Sequence, residues 1–131
     1  YIADVVRERG SPDEIEALVV NTSNADGRTT FQSLPQDPGQ AGKAQAAYLS
    51  KKLQGRRFEF TPETGDKATR ASPFAAQVNA GNVKMLRADW NDALLHEMRT
   101  FPMGKNDDQI DALSRAYDKA WQRRVPIKDM L

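Results

Sequence analysis

The stretch Thr29-Thr30-Phe31-Gln32-Ser33-Leu34-Pro35-Gln36-Asp37-Pro38-Gly39-Gln40-Ala41-Gly42-Lys43 changes character twice in fifteen residues. Thr29 to Leu34 reads as a short strand, which Pro35 stops because it has no N–H to give a ladder. An Asp-Pro-Gly turn follows, and a run rich in Ala and Gln from Ala41 to Leu53 then reads as a helix closed by Gly55. Beyond it, Phe58-Glu59-Phe60 alternates as another strand. Strand, helix and strand in succession predict an α/β fold, a sheet layered by helices. Asp37 falls at the C-terminal end of the first of these strands, the edge of an open α/β sheet where ligands gather. Asp-Pro-Gly is also a good turn in its own right, so both readings of Asp37 stay open.

The flanking chain continues the pattern. Tyr1 to Val6 is β-branched and alternating, which predicts a strand ending near Arg9-Gly10. Ser11-Pro12-Asp13-Glu14 is a helix start, with an N-cap serine, proline at the first helical position and glutamate at the third. That helix should turn inward Ile15, Leu18 and Val19 and fade by Asn21 to Asn24. A helix is expected from about Thr69 to Ala80 and a strand from Val83 to Leu86. A further helix, capped near Asp89, carries Trp90, Leu94, Leu95 and Met98 as one buried face and ends at Pro102. The whole is read as one domain over residues 1–131, with a basic tail from Arg123 to Leu131.

A second informative stretch is Phe101-Pro102-Met103-Gly104-Lys105-Asn106-Asp107-Asp108-Gln109-Ile110-Asp111-Ala112-Leu113. Its loop ends in Asn106, a good N-cap, before a helix that runs to about Gln122 with Ile110, Leu113, Tyr117 and Trp121 or Ala120 inward. Asp107, Asp108 and Asp111 share roughly one side of that helix. Two acids in a first turn suit the positive end of the helix dipole, but a third, one turn on, repels them. A hard divalent cation such as Mg²⁺ or Mn²⁺ would relieve that repulsion, since it prefers carboxylate oxygens. A solvated acidic helix start is the plainer alternative.

Composition removes other chemistries. The chain has 131 residues, 19 basic and 18 acidic, no cysteine and one histidine, His96. Thiolate zinc sites, disulfides, cysteine nucleophiles and multi-histidine metal sites are therefore excluded. His96, beside Glu97, reads as a surface residue. No apolar run approaches the roughly 18 residues that span a bilayer. Gly39-Gln40-Ala41-Gly42-Lys43 is no phosphate loop, because Asp37 stands where the first glycine belongs and Ala44 where Ser or Thr belongs. Lys43, Lys67, Arg70 and Lys105 are cations at loops or element ends that could hold a polyanion beside an acidic metal site. Scattered solvated charge is the alternative for each.

Four segments in register resemble the C-terminal nuclease domain of the large terminase subunit of tailed bacteriophages. They are Pro35 to Lys43, then Thr64-Gly65-Asp66-Lys67-Ala68-Thr69-Arg70-Ala71, then Ala80-Gly81-Asn82-Val83, and finally Phe101 to Leu113. The likeness spans Tyr1 to about Tyr117. It implies an RNase H-like mixed sheet flanked by helices and a metal-dependent endonuclease that cuts concatemeric double-stranded DNA with two Mg²⁺ or Mn²⁺ ions. Asp37 would be the second acid of the family pattern and Asp107, Asp108 and Asp111 the third, with Lys43, Lys67, Arg70 and Lys105 toward DNA. Asn106 stands where many relatives have histidine. By the same likeness Tyr1 to Arg9 matches the third strand, so the first two strands, the first acid and the upstream ATPase domain are expected to precede this sequence. Asp4 does not match the place of the first acid. The implied partners are DNA, that ATPase domain, the small terminase subunit and the portal, without a membrane. The implied setting is the cytoplasm of a bacterial host, in a phage or prophage context. A non-catalytic DNA-binding or packaging-assembly module is the alternative function.

Overall fold

The computed structural model describes residues 1–122. The tail expected from Arg123 to Leu131 lies outside the described residues. Two compact units divide the chain, one formed by Arg7–Thr64 and the other by Tyr1–Val6 with the chain from Gly65 onward.

The Arg7–Thr64 unit holds α1 (Pro12–Asp26), β1 (Phe31–Pro35), α2 (Gly39–Lys52) and β2 (Arg57–Thr61). Ser11 caps α1 as expected, its Oγ accepting from the Glu14 N–H, and Pro12 occupies the first turn. The helix outlasts its expected end at Asn21 to Asn24. Buried Ser23 accepts a hydrogen bond from the Gln32 amide, and the Thr30 hydroxyl donates to the Asp26 carbonyl, so β1 and its approach hold the last turn. Strands β1 and β2 are parallel, in register from Phe31 opposite Arg57 to Pro35 opposite Thr61. A parallel pair needs a crossover, and α2 supplies it. That helix begins at Gly39, two residues before the expected Ala41, and buries Gly42, Leu49 and then Leu53 just past its end.

The other unit holds α3 (Lys67–Asn79), α4 (Asn91–Thr100) and α5 (Asp108–Gln122). Its core gathers Ile2, Phe74 and Leu94, with Val5, Val78, Val83, Met85, Trp90, Met98, Leu113 and Tyr117 packed against them. The strands expected at Tyr1 to Arg9 and Val83 to Leu86 shrink to one parallel bridge, Ile2 with Met85. Side chains end the ladder on both segments. The Asp4 carboxylate accepts the Val5 N–H, and the Asn91 amide donates to the Leu86 carbonyl. Helix α3 starts at Lys67, two residues before the expected Thr69, because Asp66 caps it by accepting the Thr69 N–H. Pro73 therefore lies inside the helix.

On α5, Ile110 is buried and Leu113 and Tyr117 are half-buried, as the spacing predicts. Trp121 and Ala120, one of which was expected inward, are both exposed; Trp121 stacks on Tyr117 at 6.5 Å between ring centres. Five helices and a two-stranded parallel sheet make the described chain α/β.

Candidate functional site

The acid-bearing end of α5 is built by three helices. Asp107, not Asn106, is the residue before the helix, since its carbonyl accepts the first helical bond, from the Asp111 N–H at 3.0 Å. Two residues into the helix, the Ile110 N–H donates to Glu97 Oε2 at 2.7 Å. Glu97 belongs to α4 and is buried, 3% exposed. Its other oxygen, Oε1, accepts from the buried Gln109 amide at 3.2 Å. A helix start leaves N–H groups without helical partners, and here a carboxylate from a neighbouring helix takes one of them.

Helix α3 covers the acids. Lys67 Nζ donates to Asp107 Oδ2, and the Arg70 guanidinium lies 3.8 Å from Asp111 Oδ1. Residues three apart on α3 thus face residues four apart at the start of α5, so two ion pairs form successive rungs there. Each of the four side chains is partly exposed, from 25% for the two acids to 41% for Lys67. The Lys67 rung is accordingly open to water and to competing ions, whereas Asp111 Oδ1, the oxygen that faces Arg70, is itself buried. Arg70 is further fixed by donating to the Gly65 carbonyl at 2.6 Å. The Asp107 hydrogen bond holds the Lys67 ammonium above its ordinary pKa; partial desolvation opposes this, while the charges of Asp107 and Asp111 add to it. Asp66 is held below the usual carboxyl value, chiefly by the Thr69 N–H and then by the Thr69 hydroxyl. Asp108 is exposed and takes no rung, and Lys105 is exposed in the loop before it.

In the Arg7–Thr64 unit, Asp37 is exposed just beyond the C-terminal end of β1, where the sequence places it. The Gln36 N–H donates to the Thr61 carbonyl at 3.0 Å, so sheet bonding continues to the residue before it. Asp37 is positioned by backbone. A Cβ on Gly42 would overlap the Asp37 carbonyl oxygen, because helical Cβ atoms lean toward the N-terminus and residue 42 lies one turn inside α2. The glycine that resembles a phosphate-loop residue is there to let the turn close. Lys43 follows it, exposed.

Of the expected site residues, then, Lys67, Arg70, Asp107 and Asp111 meet in one cluster. Among the described residues no group of three or more His, Asp or Glu side chains gathers as a metal ion would require. The oxygen donors of Asp107 and Asp111 are of the type that hard divalent cations take. Sequence reasoning missed Glu97, Gln109 and Asp66. Glu97 had a signal: it lies three residues after Leu94 and next to Met98, a carboxylate at a core-facing position. His96 is exposed, as expected.

No described helix is long and apolar enough to cross a membrane. No curated protein and no solved structure matches the chain. The family model described as the Terminase RNaseH-like domain matches residues 1–120, nearly its full length. The chain belongs to the terminase RNaseH-like domain family.

Proposed function

We propose that this chain is the nuclease module of a viral DNA-packaging terminase, an RNase H-like domain that cuts concatemeric double-stranded DNA by metal-dependent phosphodiester hydrolysis. The observation that carries the reading is the pair of partly exposed carboxylates, Asp107 and Asp111, four residues apart at the start of α5 and lined by Lys67 and Arg70. Asp107 and Asp111, with Asp108, would hold Mg²⁺ or Mn²⁺, and Asp37 is proposed as the second acid that the family pattern implies. Two such ions would activate the attacking water and stabilise the leaving oxygen.

The remaining steps belong to the chain's own groups. Lys67 and Arg70 compete with a cation for the carboxylates of Asp107 and Asp111. Carboxylates given over to a cation leave both basic side chains to phosphate oxygens, joined by Lys105; Lys43, in the Arg7–Thr64 unit, is proposed as a further phosphate contact. Such contacts read backbone, so cutting should show little base preference. The ATPase domain, small subunit and portal of a packaging machine in a bacterial host cell are the partners that follow from this role.

The test is nicking of supercoiled DNA with Mn²⁺ by the full terminase subunit that carries this domain. Asp111→Asn and Asp37→Ala should each abolish cutting; either variant cutting like the unmodified protein removes that residue from the mechanism. A second reading, a DNA-binding or assembly module without catalysis, is favoured by the fact that Lys67 and Arg70 already neutralise the two acids. It predicts DNA affinity that falls steeply with salt and ignores chelator.

A further inference from the structure

Glu97 is a buried carboxylate that neither reading above uses. Burying a carboxylate is costly unless hydrogen bonds compensate. Glu97 recovers that cost at one place, the first turn of α5, where the Ile110 N–H and the Gln109 amide occupy its two oxygens and the positive end of the helix dipole favours its charge. Its backbone does related work at the other end of the loop. The Phe101 N–H donates to the Glu97 carbonyl at 3.0 Å, closing α4. Both ends of the connection from Phe101 to Asp107 are therefore fixed to one residue. The residues it grips, Gln109 and Ile110, lie directly between Asp108 and Asp111.

We infer that Glu97 is a positioning residue, one that sets where Asp107, Asp108 and Asp111 stand by clamping the backbone of the turn that carries them. It acts by reach and not by charge. Gln109 shows why: its Oε1 is buried with no hydrogen-bond partner among the described residues. Were residue 97 an uncharged amide of the same length, its oxygen could still accept from Ile110, and Gln109 could flip to offer Oε1 to the new amide without giving up a bond Oε1 now makes. A carboxylate one methylene shorter keeps the charge and loses the reach.

The inference rests on the metal reading above, and the experiment separates the two. Mn²⁺ is titrated into the 131-residue chain, and paramagnetic broadening of the amide signals of residues 107–111 is followed, with hydrogen exchange of the Ile110 amide measured in parallel. Glu97→Asp should weaken the apparent Mn²⁺ affinity about 10–100-fold, the range for partners that orient metal ligands. Its Ile110 amide should exchange faster. Glu97→Gln, which keeps the reach and loses only the charge, should weaken affinity clearly less than Glu97→Asp does. Gln109→Leu, which leaves the Ile110 bond in place, gives a second route should Glu97→Asp fail to fold; it should weaken affinity less than Glu97→Asp is expected to. Equal loss in Glu97→Gln and Glu97→Asp, or Mn²⁺ broadening in Glu97→Asp unchanged from the unmodified chain, overturns the positioning role. An unmodified chain whose signals at 107–111 do not broaden overturns the metal reading itself.

Discussion

The two units hold their acids by opposite means. Asp37, in the Arg7–Thr64 unit, is an exposed side chain whose backbone is pinned by the end of a parallel ladder and by the absence of a side chain at Gly42. Asp107 and Asp111, in the other unit, sit on a helix whose first turn is gripped by a buried glutamate and whose carboxylates face a lysine and an arginine. Backbone placement here depends on the tight turn at Gly42 and on a ladder between two strands joined by a single crossover helix. Side-chain placement depends on helices that the chain brings together from far apart, 40 residues in the case of Lys67 and Asp107. The first kind should break through substitutions that add atoms, the second through substitutions that remove them.

The largest effects should come from each unit's core. Leu53 and Leu94 are both fully buried, one in each unit. Leu53→Ala and Leu94→Ala should each cost about 2–5 kcal/mol. Followed by residue-resolved hydrogen exchange, each should first weaken protection in its own unit. Equal loss everywhere would show that the units unfold as one and would dissolve the comparison.

Next in size is Gly42→Ala. Its methyl group meets backbone, which cannot rotate away, so the turn at Asp37 must move; about 1–3 kcal/mol of destabilisation follows for overpacking of this kind. Urea unfolding measures it, and a neutral result would mean that Asp37 is not held by the close approach.

A smaller effect should follow pH through Asp66. Its folded-state pKa lies below the usual 3.8, so its cap contributes stability that is present above that value and is lost as pH falls through the lower folded value. Asp66→Asn keeps an acceptor for the Thr69 N–H and should flatten this acid limb in thermal unfolding between pH 2 and 5, a window spanning roughly the ordinary aspartate value. Lys67 has the reverse sign. Its folded pKa is raised above 10.5, so its contribution is complete below that value and fades as pH rises through the higher folded one. Lys67→Met should therefore remove an alkaline slope.

The smallest change expected is in salt dependence. Arg70→Gln should reduce the slope of log DNA affinity against log salt by about 1, one phosphate contact's share. An unchanged slope would leave Arg70 to its partners within the chain, Asp111 and the Gly65 carbonyl among them.

What the sequence by itself determined was local. The α/β class followed from the strand–turn–helix–strand run of Thr29 to Phe60, the start of α1 from Ser11-Pro12, and the place of Asp37 from a strand that ends at proline. Each rests on backbone preferences or on period, which neighbouring residues set. The tertiary structure decided the rest. It paired Ile2 with Met85 and left the rest of both segments to nearby side chains, Asp4 and Asn91 taking their backbone groups. It also chose Asp107 and Asp111, and not Asp108, to face cations, because only the packing of α3 on α5 says which side of an acidic helix is covered. Glu97 shows the limit most plainly: a glutamate among apolar positions can be seen in the chain, but the N–H it serves, 13 residues on, belongs to a helix that only folding brings within reach.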